Sequence, residues 1–208
     1  LEDALDELEP VNPRRPLRQL AVLLAISLMY GAGVLAVVAT RLDMHELSTL
    51  WIAGAALAWL VGFVVPVYLA LVPRRGSMLG RWELAAASAV LTSIAFVSLG
   101  LTVHPSGPSS LYFGSEQFLR GHVCLELGLA TALVPVVIGM LCLRGALPVG
   151  SRWIAAALGA GSGSLGGLVL HLHCRVTDGL HQGLIHGGVV VVAALLAAAL
   201  APRMTEPR

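Results

Sequence analysis

Two cysteines and five histidines crowd into three short stretches of this chain, a set of side chains suited to a borderline-soft metal ion or to a thiol redox pair. The stretches are Gly121-His122-Val123-Cys124-Leu125-Glu126, then His171-Leu172-His173-Cys174, then His181 through His186. Two thiols, five imidazoles and the Glu126 carboxylate exceed the four ligands of a tetrahedral zinc, so they mark a neighbourhood from which a ligand set is drawn. At helical spacing His122 and Glu126 share a face, as do His171 and Cys174, whereas Cys124 points away from His122. The candidate metal ligands are therefore Cys124, His173, Cys174, His186, His171, His181, His122 and Glu126, with zinc the expected ion. Haem, held axially by paired histidines, and copper, held by Cys with His, rank behind it. Cys124 and Cys174 also suit a disulfide, if their helices are neighbours near an oxidising surface. A metal site keeps both as thiolates; a redox pair cycles between dithiol and disulfide. Cys142 reads as an inert buried thiol, and His45 and His104, each standing alone, as ordinary interfacial histidines.

The elements that must position these groups are membrane spans. The 208 residues are 57% hydrophobic and only 12% charged, against about 45–50% apolar and about 25% charged in an average soluble domain. Crossing about 30 Å of hydrocarbon takes roughly 17 to 25 residues. Six apolar runs are long enough: Leu17 to Thr40, Ser48 to Leu71, Leu84 to Val103, Val123 to Leu143, Ile154 to Leu172 and Leu184 to Leu200. The first is too long for a signal-peptide core and lacks an A-x-A cleavage site, so it reads as a retained span. The chain opens on Leu1 rather than Met, which predicts that further native sequence precedes it.

Arginine sets the orientation, since cationic short loops stay in the cytoplasm. Arg14, Arg15, Arg18, Arg74, Arg75, Arg81, Arg144, Arg152, Arg203 and Arg208 fall on one side, and Arg41, Arg120 and Arg175 on the other. The expected fold class is thus an all-α membrane protein, a six transmembrane helix bundle with both termini cytoplasmic. Every histidine then lies on the outer side or within about a turn of it. Trp51, Trp82 and Trp153 sit at span ends, where indoles prefer to be. Within the fifth run Gly159, Gly163 and Gly167 recur every four residues, the spacing that lets helix backbones approach closely in lipid; their expected role is packing. Pro66 and Pro135 lie inside the second and fourth runs and predict bends there.

The N-terminal Leu1-Glu2-Asp3-Ala4-Leu5-Asp6-Glu7-Leu8-Glu9 places Leu1, Ala4, Leu5 and Leu8 on one helical stripe among acids, before Pro10 and Pro13 stop the helix. Anionic lipid would repel it, so a protein groove with basic rims is the expected partner, bound through Leu1, Asp3, Leu5, Asp6 and Leu8. Such a short helix needs that partner to form. The chain divides into this segment, residues 1–16, a transmembrane sensor domain, residues 17–201, and a cytoplasmic tail, residues 202–208.

Enzyme, transport and nucleic-acid roles fit poorly. Ala160-Gly161-Ser162-Gly163 lacks the leading glycine of the rhomboid protease motif, and Ser164 lies about 10 Å inward of His171. A metal transporter needs polar groups continuing through the bundle, and beyond Glu126 the fourth run offers no second acid. There is no P-loop and no dinucleotide-binding glycine motif. A net charge of +1 argues against direct binding of nucleic acid.

These pieces resemble the NrsF-like family of six-span anti-sigma factors of proteobacteria. The resemblance rests on the acidic Leu-Glu-Asp-Ala-Leu-Asp-Glu-Leu start, on Pro13-Arg14-Arg15-Pro16-Leu17-Arg18, on Cys124, on Leu172-His173-Cys174 and on His186-Gly187-Gly188. It implies a non-enzymatic, inner-membrane protein whose N-terminal segment holds an extracytoplasmic-function (ECF) sigma factor until a stress or light signal arrives. It also implies sensing of metals or oxidants at the positions of Cys124 and Cys174. His122, His171 and His181 are additions to that pattern and favour a bound metal.

Overall fold

Proline at a first helical turn costs no hydrogen bond, and Pro16 starts the first helix among the described residues, α1 (Pro16–Val38). The computed structural model describes residues 15–73, 79–103, 121–144 and 150–205. The N-terminal residues Leu1, Asp3, Leu5, Asp6 and Leu8, together with His104, lie outside them. After α1 come α2 (Thr49–Leu71), α3 (Arg81–Thr102), α4 (His122–Leu143), α5 (Ser151–His173), a π-helical turn (His181–His186) and α6 (Gly187–Thr205). Six of these elements are long and apolar enough to cross a membrane, the last counted from His181, and the described residues contain no strand. The starts differ slightly from the apolar runs: Arg81 against Leu84, Ser151 against Ile154, His181 against Leu184. Polar first-turn residues are helical without being apolar, so hydrophobicity alone starts each span late. At α3 the extra turn has its own cap, the Gly80 N–H donating to Glu83 Oε2 at 2.7 Å. α2 and α4 continue through Pro66 and Pro135 as single helices.

The centre of the bundle is α5. All residues from Ile154 to His171 are buried, and α5 packs against each of the other five helices. Its glycines make this possible. A methyl on Gly163 would stand 2.7 Å from Val190 Cα of α6, one on Gly161 would stand 2.8 Å from the Phe63 carbonyl oxygen of α2, and one on Gly166 would strike the Gly128 carbonyl of α4. Within the four-residue repeat Gly159 and Gly163 seat the α6 backbone while Gly167 seats the Trp59 ring, and dispersion contacts between close helices replace the hydrophobic drive that lipid cannot supply. Ser162 and Ser164 turn their hydroxyls onto carbonyls one turn back, Leu158 at 2.8 Å and Ala160 at 3.0 Å, which satisfies them inside the core.

Candidate metal centre

At one end of the bundle the last turn of α5, the first turn of α4 and the entry to α6 converge. Cys174 caps α5, its N–H donating to the Leu170 carbonyl at 2.7 Å, while Cys124 lies in the first turn of α4. The chain then crosses residues 174–178 and re-enters helix at Asp178, whose carboxylate accepts the N–H groups of Leu180 at 3.1 Å and His181 at 3.3 Å. This is ordinary N-capping by aspartate. The helix it starts is not ordinary, because His181–His186 forms a π turn closed by the Gly187 N–H on the Gln182 carbonyl.

That turn decides which histidines meet. Five residues along an α-helix, His186 would be rotated about 140° from His181; a turn with i→i+5 hydrogen bonds brings the fifth residue back over the first. The two imidazoles accordingly pack edge to face, with ring centroids 5.1 Å apart.

Cys124 Sγ donates to Cys174 Sγ at 3.8 Å, and Cys174 Sγ meets His181 Nε2 at 3.5 Å. Ligand atoms of Cys124, Cys174, His181 and His186 all lie within 4.8 Å of one another. A tetrahedral zinc with Zn–S of about 2.3 Å and Zn–N of about 2.0–2.1 Å has edges of about 3.8 Å between sulfurs and about 3.6 Å between sulfur and nitrogen. Both measured separations match those edges. Both sulfurs are free thiols, far beyond the roughly 2.05 Å of a disulfide. The hydrogen bond from Cys124 holds the Cys174 thiol well below the ordinary cysteine range; burial opposes this, and His181 reinforces it.

His186 is the strongest sign that the group is a ligand set. It is fully buried, and neither ring nitrogen has a hydrogen-bond partner. A buried polar group left in that state costs about 1–3 kcal/mol, and a cation at the centre of the four residues would satisfy it. The residues present therefore fit a metal of the zinc type: two sulfurs, two imidazoles, His181 and Cys174 buried.

The other sequence candidates go elsewhere. His171 is buried but its Nε2 bonds the Ile52 carbonyl at 3.2 Å, and its ring lies 4.8 Å from that of Trp51. His173 Nδ1 bonds the Ala39 carbonyl at 2.7 Å, tying α5 to the loop after α1. His122 and Glu126 are exposed on α4, and the face they share does not contribute to the group of four.

One component had no motif. Arg41, its side chain 1% exposed, forks onto Asp43 at 2.8 and 2.7 Å, reaches the Arg175 carbonyl at 3.4 Å, and lies over Trp51. The Arg41 N–H also donates to the Leu172 carbonyl at 2.9 Å. Only the spacing Arg-x-Asp in a short loop hinted at it. The guanidinium holds the Asp43 carboxyl below the usual carboxylate range. A depressed carboxyl stabilises the fold above its unfolded pKa of about 3.9, and that stability is lost as pH falls through the folded value. Asp43→Asn is therefore expected to lower the thermal midpoint at pH 7. The difference from wild type should begin to shrink as pH falls below about 4, the unfolded carboxyl range, in thermal scans of the detergent-purified protein. An unchanged midpoint at pH 7 would show that the pair does not brace this end.

A family model described as NrsF, negative regulator of sigma F, matches residues 5–206. No curated protein and no solved structure matches the chain.

Proposed function

Because the chain belongs to the NrsF family of negative regulators of sigma F, a regulatory and non-enzymatic family with a sigma factor as its partner, we propose that it is a membrane-bound anti-sigma factor. It sequesters an ECF sigma factor at the bacterial inner membrane and carries a zinc-type Cys/His site on the opposite, outer face. The observation that carries the reading is the match itself, which begins at Leu5, inside the acidic N-terminal segment, and runs on through all six spans. The excess of arginine on the side of both termini supports cytoplasmic termini. The Leu1, Asp3, Leu5, Asp6 and Leu8 stripe is then on the side where a sigma factor is found, and folds upon it.

Metal loss, or oxidation of Cys124 and Cys174, is the signal in this reading. Zinc is preferred to copper or haem because two sulfurs and two imidazoles close a tetrahedron, the pattern of a structural zinc site. The metal would supply a fixed junction between α4, α5 and the entry to α6. Removing it leaves His186 buried without a partner, a state the bundle relieves by rearranging.

The decisive experiment is co-purification of the detergent-solubilised protein with its ECF sigma factor, wild type against Leu5→Asp/Leu8→Asp. The double variant is expected to insert normally and to lose the sigma factor, since two charges replace the apolar stripe. Undiminished binding would overturn the assignment of that segment. Elemental mass spectrometry with a thiol count on the same sample tests the site: about one zinc per chain is expected for a four-ligand tetrahedral site, and a metal-free disulfide would move the sensor to redox chemistry.

A further inference from the structure

The π turn that unites His181 and His186 has a seat, and the seat is on α3, which supplies no ligand. A methyl on Gly100 of α3 would come 2.5 Å from the Gly183 nitrogen and 2.6 Å from the Gln182 carbonyl carbon. From the other side, a methyl on Gly183 would meet the Leu101 side chain at 2.6 Å and the Val97 carbonyl oxygen at 2.9 Å, and one on Gly187 would stand 2.9 Å from the Phe96 carbonyl oxygen and Val97 Cα. Three glycines, on α3, on the π turn and at the start of α6, thus let backbone lie on backbone along the whole turn. Gly188, the next residue, has open space at its Cβ position.

The rest of the surroundings hold the turn less firmly. It packs chiefly against α3, and beside it lies a cleft of about 290 Å³ that reaches Trp51, Trp59, Phe96, Gly100, His171 and Gln182. A turn pushed off α3 therefore has room to move. Single π turns inside helices are rare and occur frequently at functional sites.

We infer that Gly100, Gly183 and Gly187 are positioning residues of the Cys/His site: α3 clamps the π turn and so holds His181 and His186 over Cys124 and Cys174. For metal affinity the inference rests on the proposed metal reading; for the burial of Cys174 beneath the two imidazoles it does not. It makes α3 the element whose movement would loosen or tighten the site.

The test compares Gly100→Ala and Gly183→Ala with Gly188→Ala and wild type, all full-length in mild detergent. The first readout is zinc affinity by chelator competition, with the visible spectrum of the Co(II)-loaded protein. Gly188→Ala should match wild type. Gly100→Ala and Gly183→Ala should bind zinc about 10–100-fold more weakly, the usual loss when the support of a ligand is removed. Their Co(II) spectra should keep thiolate charge-transfer absorption and lose the intensity of a tetrahedral site. The second readout is the alkylation rate of Cys174 without metal, expected to rise severalfold in both variants and not in Gly188→Ala.

Leu101→Ala combined with Gly183→Ala should recover much of the loss, because the new methyl meets mainly that side chain. This milder variant serves if Gly100→Ala accumulates poorly. Wild-type affinity, Co(II) spectrum and alkylation rate in Gly100→Ala or Gly183→Ala would overturn the inference. Should wild type take up no zinc, the metal reading falls, and the alkylation rates alone decide the seating.

Discussion

Cys174→Ala is expected to weaken zinc binding by more than about 100-fold, beyond the loss typical of a supporting residue, and to release the sigma factor's regulon from repression. Cys174 is the hub of the group, 3.8 Å from Cys124 Sγ and 3.5 Å from His181 Nε2. It is also only 7% exposed, so water has little access to replace the lost ligand. The loss should appear twice. Free zinc a thousandfold above its dissociation constant stabilises a protein by about 4 kcal/mol, so a chelator should lower the thermal midpoint of wild type and leave that of the variant unchanged. In cells a sigma-dependent reporter should be on without any stimulus. Wild-type zinc content with intact repression would remove Cys174 from both site and switch.

A large effect on folding is expected at Gly166. Its added methyl strikes the Gly128 carbonyl and stands 3.1 Å from a Val189 methyl, with no flexible side chain able to yield to the backbone. Overpacking a well-filled core costs typically 1–3 kcal/mol, occasionally more, and here α4 and α5 must part along their length. Gly166→Val should therefore fail to accumulate, or unfold well below wild type in detergent. Gly54→Val, placed in open space on α2, should stay within about 0.5 kcal/mol of wild type. Equal midpoints for the two would mean that close approach at Gly166 does not govern bundle stability.

The spans were legible because lipid imposes a coarse rule, about twenty apolar residues, that composition alone can meet. The glycine repeat of α5 was legible for a similar reason: spacing by four is a property of one helix. The Cys/His group was only partly so. Eight candidates could be named, yet Cys124, Cys174, His181 and His186 are brought together by facts that no single element carries. His171 is diverted to the Ile52 carbonyl, His173 to the Ala39 carbonyl, and His122 with Glu126 turns outward. His181 and His186, five apart, fall on different faces of an α-helix, so periodicity separates what the π turn joins. The Arg41–Asp43 fork was hinted at only by its spacing, because a buried arginine in a loop looks like any interfacial cation until the surface that covers it is known.

The enclosure of α5 has a consequence for how the protein is made. With every residue from Ile154 to His171 buried, α5 has almost no face of its own to offer lipid, and it is the least hydropathic of the six spans, at 1.5 against 2.0–2.4. As synthesis proceeds it leaves the translocon before α6, whose backbone seats Gly163, has been made. In the finished bundle the first four helices form an open ring around α5, and α6, packed on α3, α4 and α5, closes it. A chain cut short before α6 would leave Gly159 and Gly163 without the backbone they seat, a groove of bare peptide open to the bilayer.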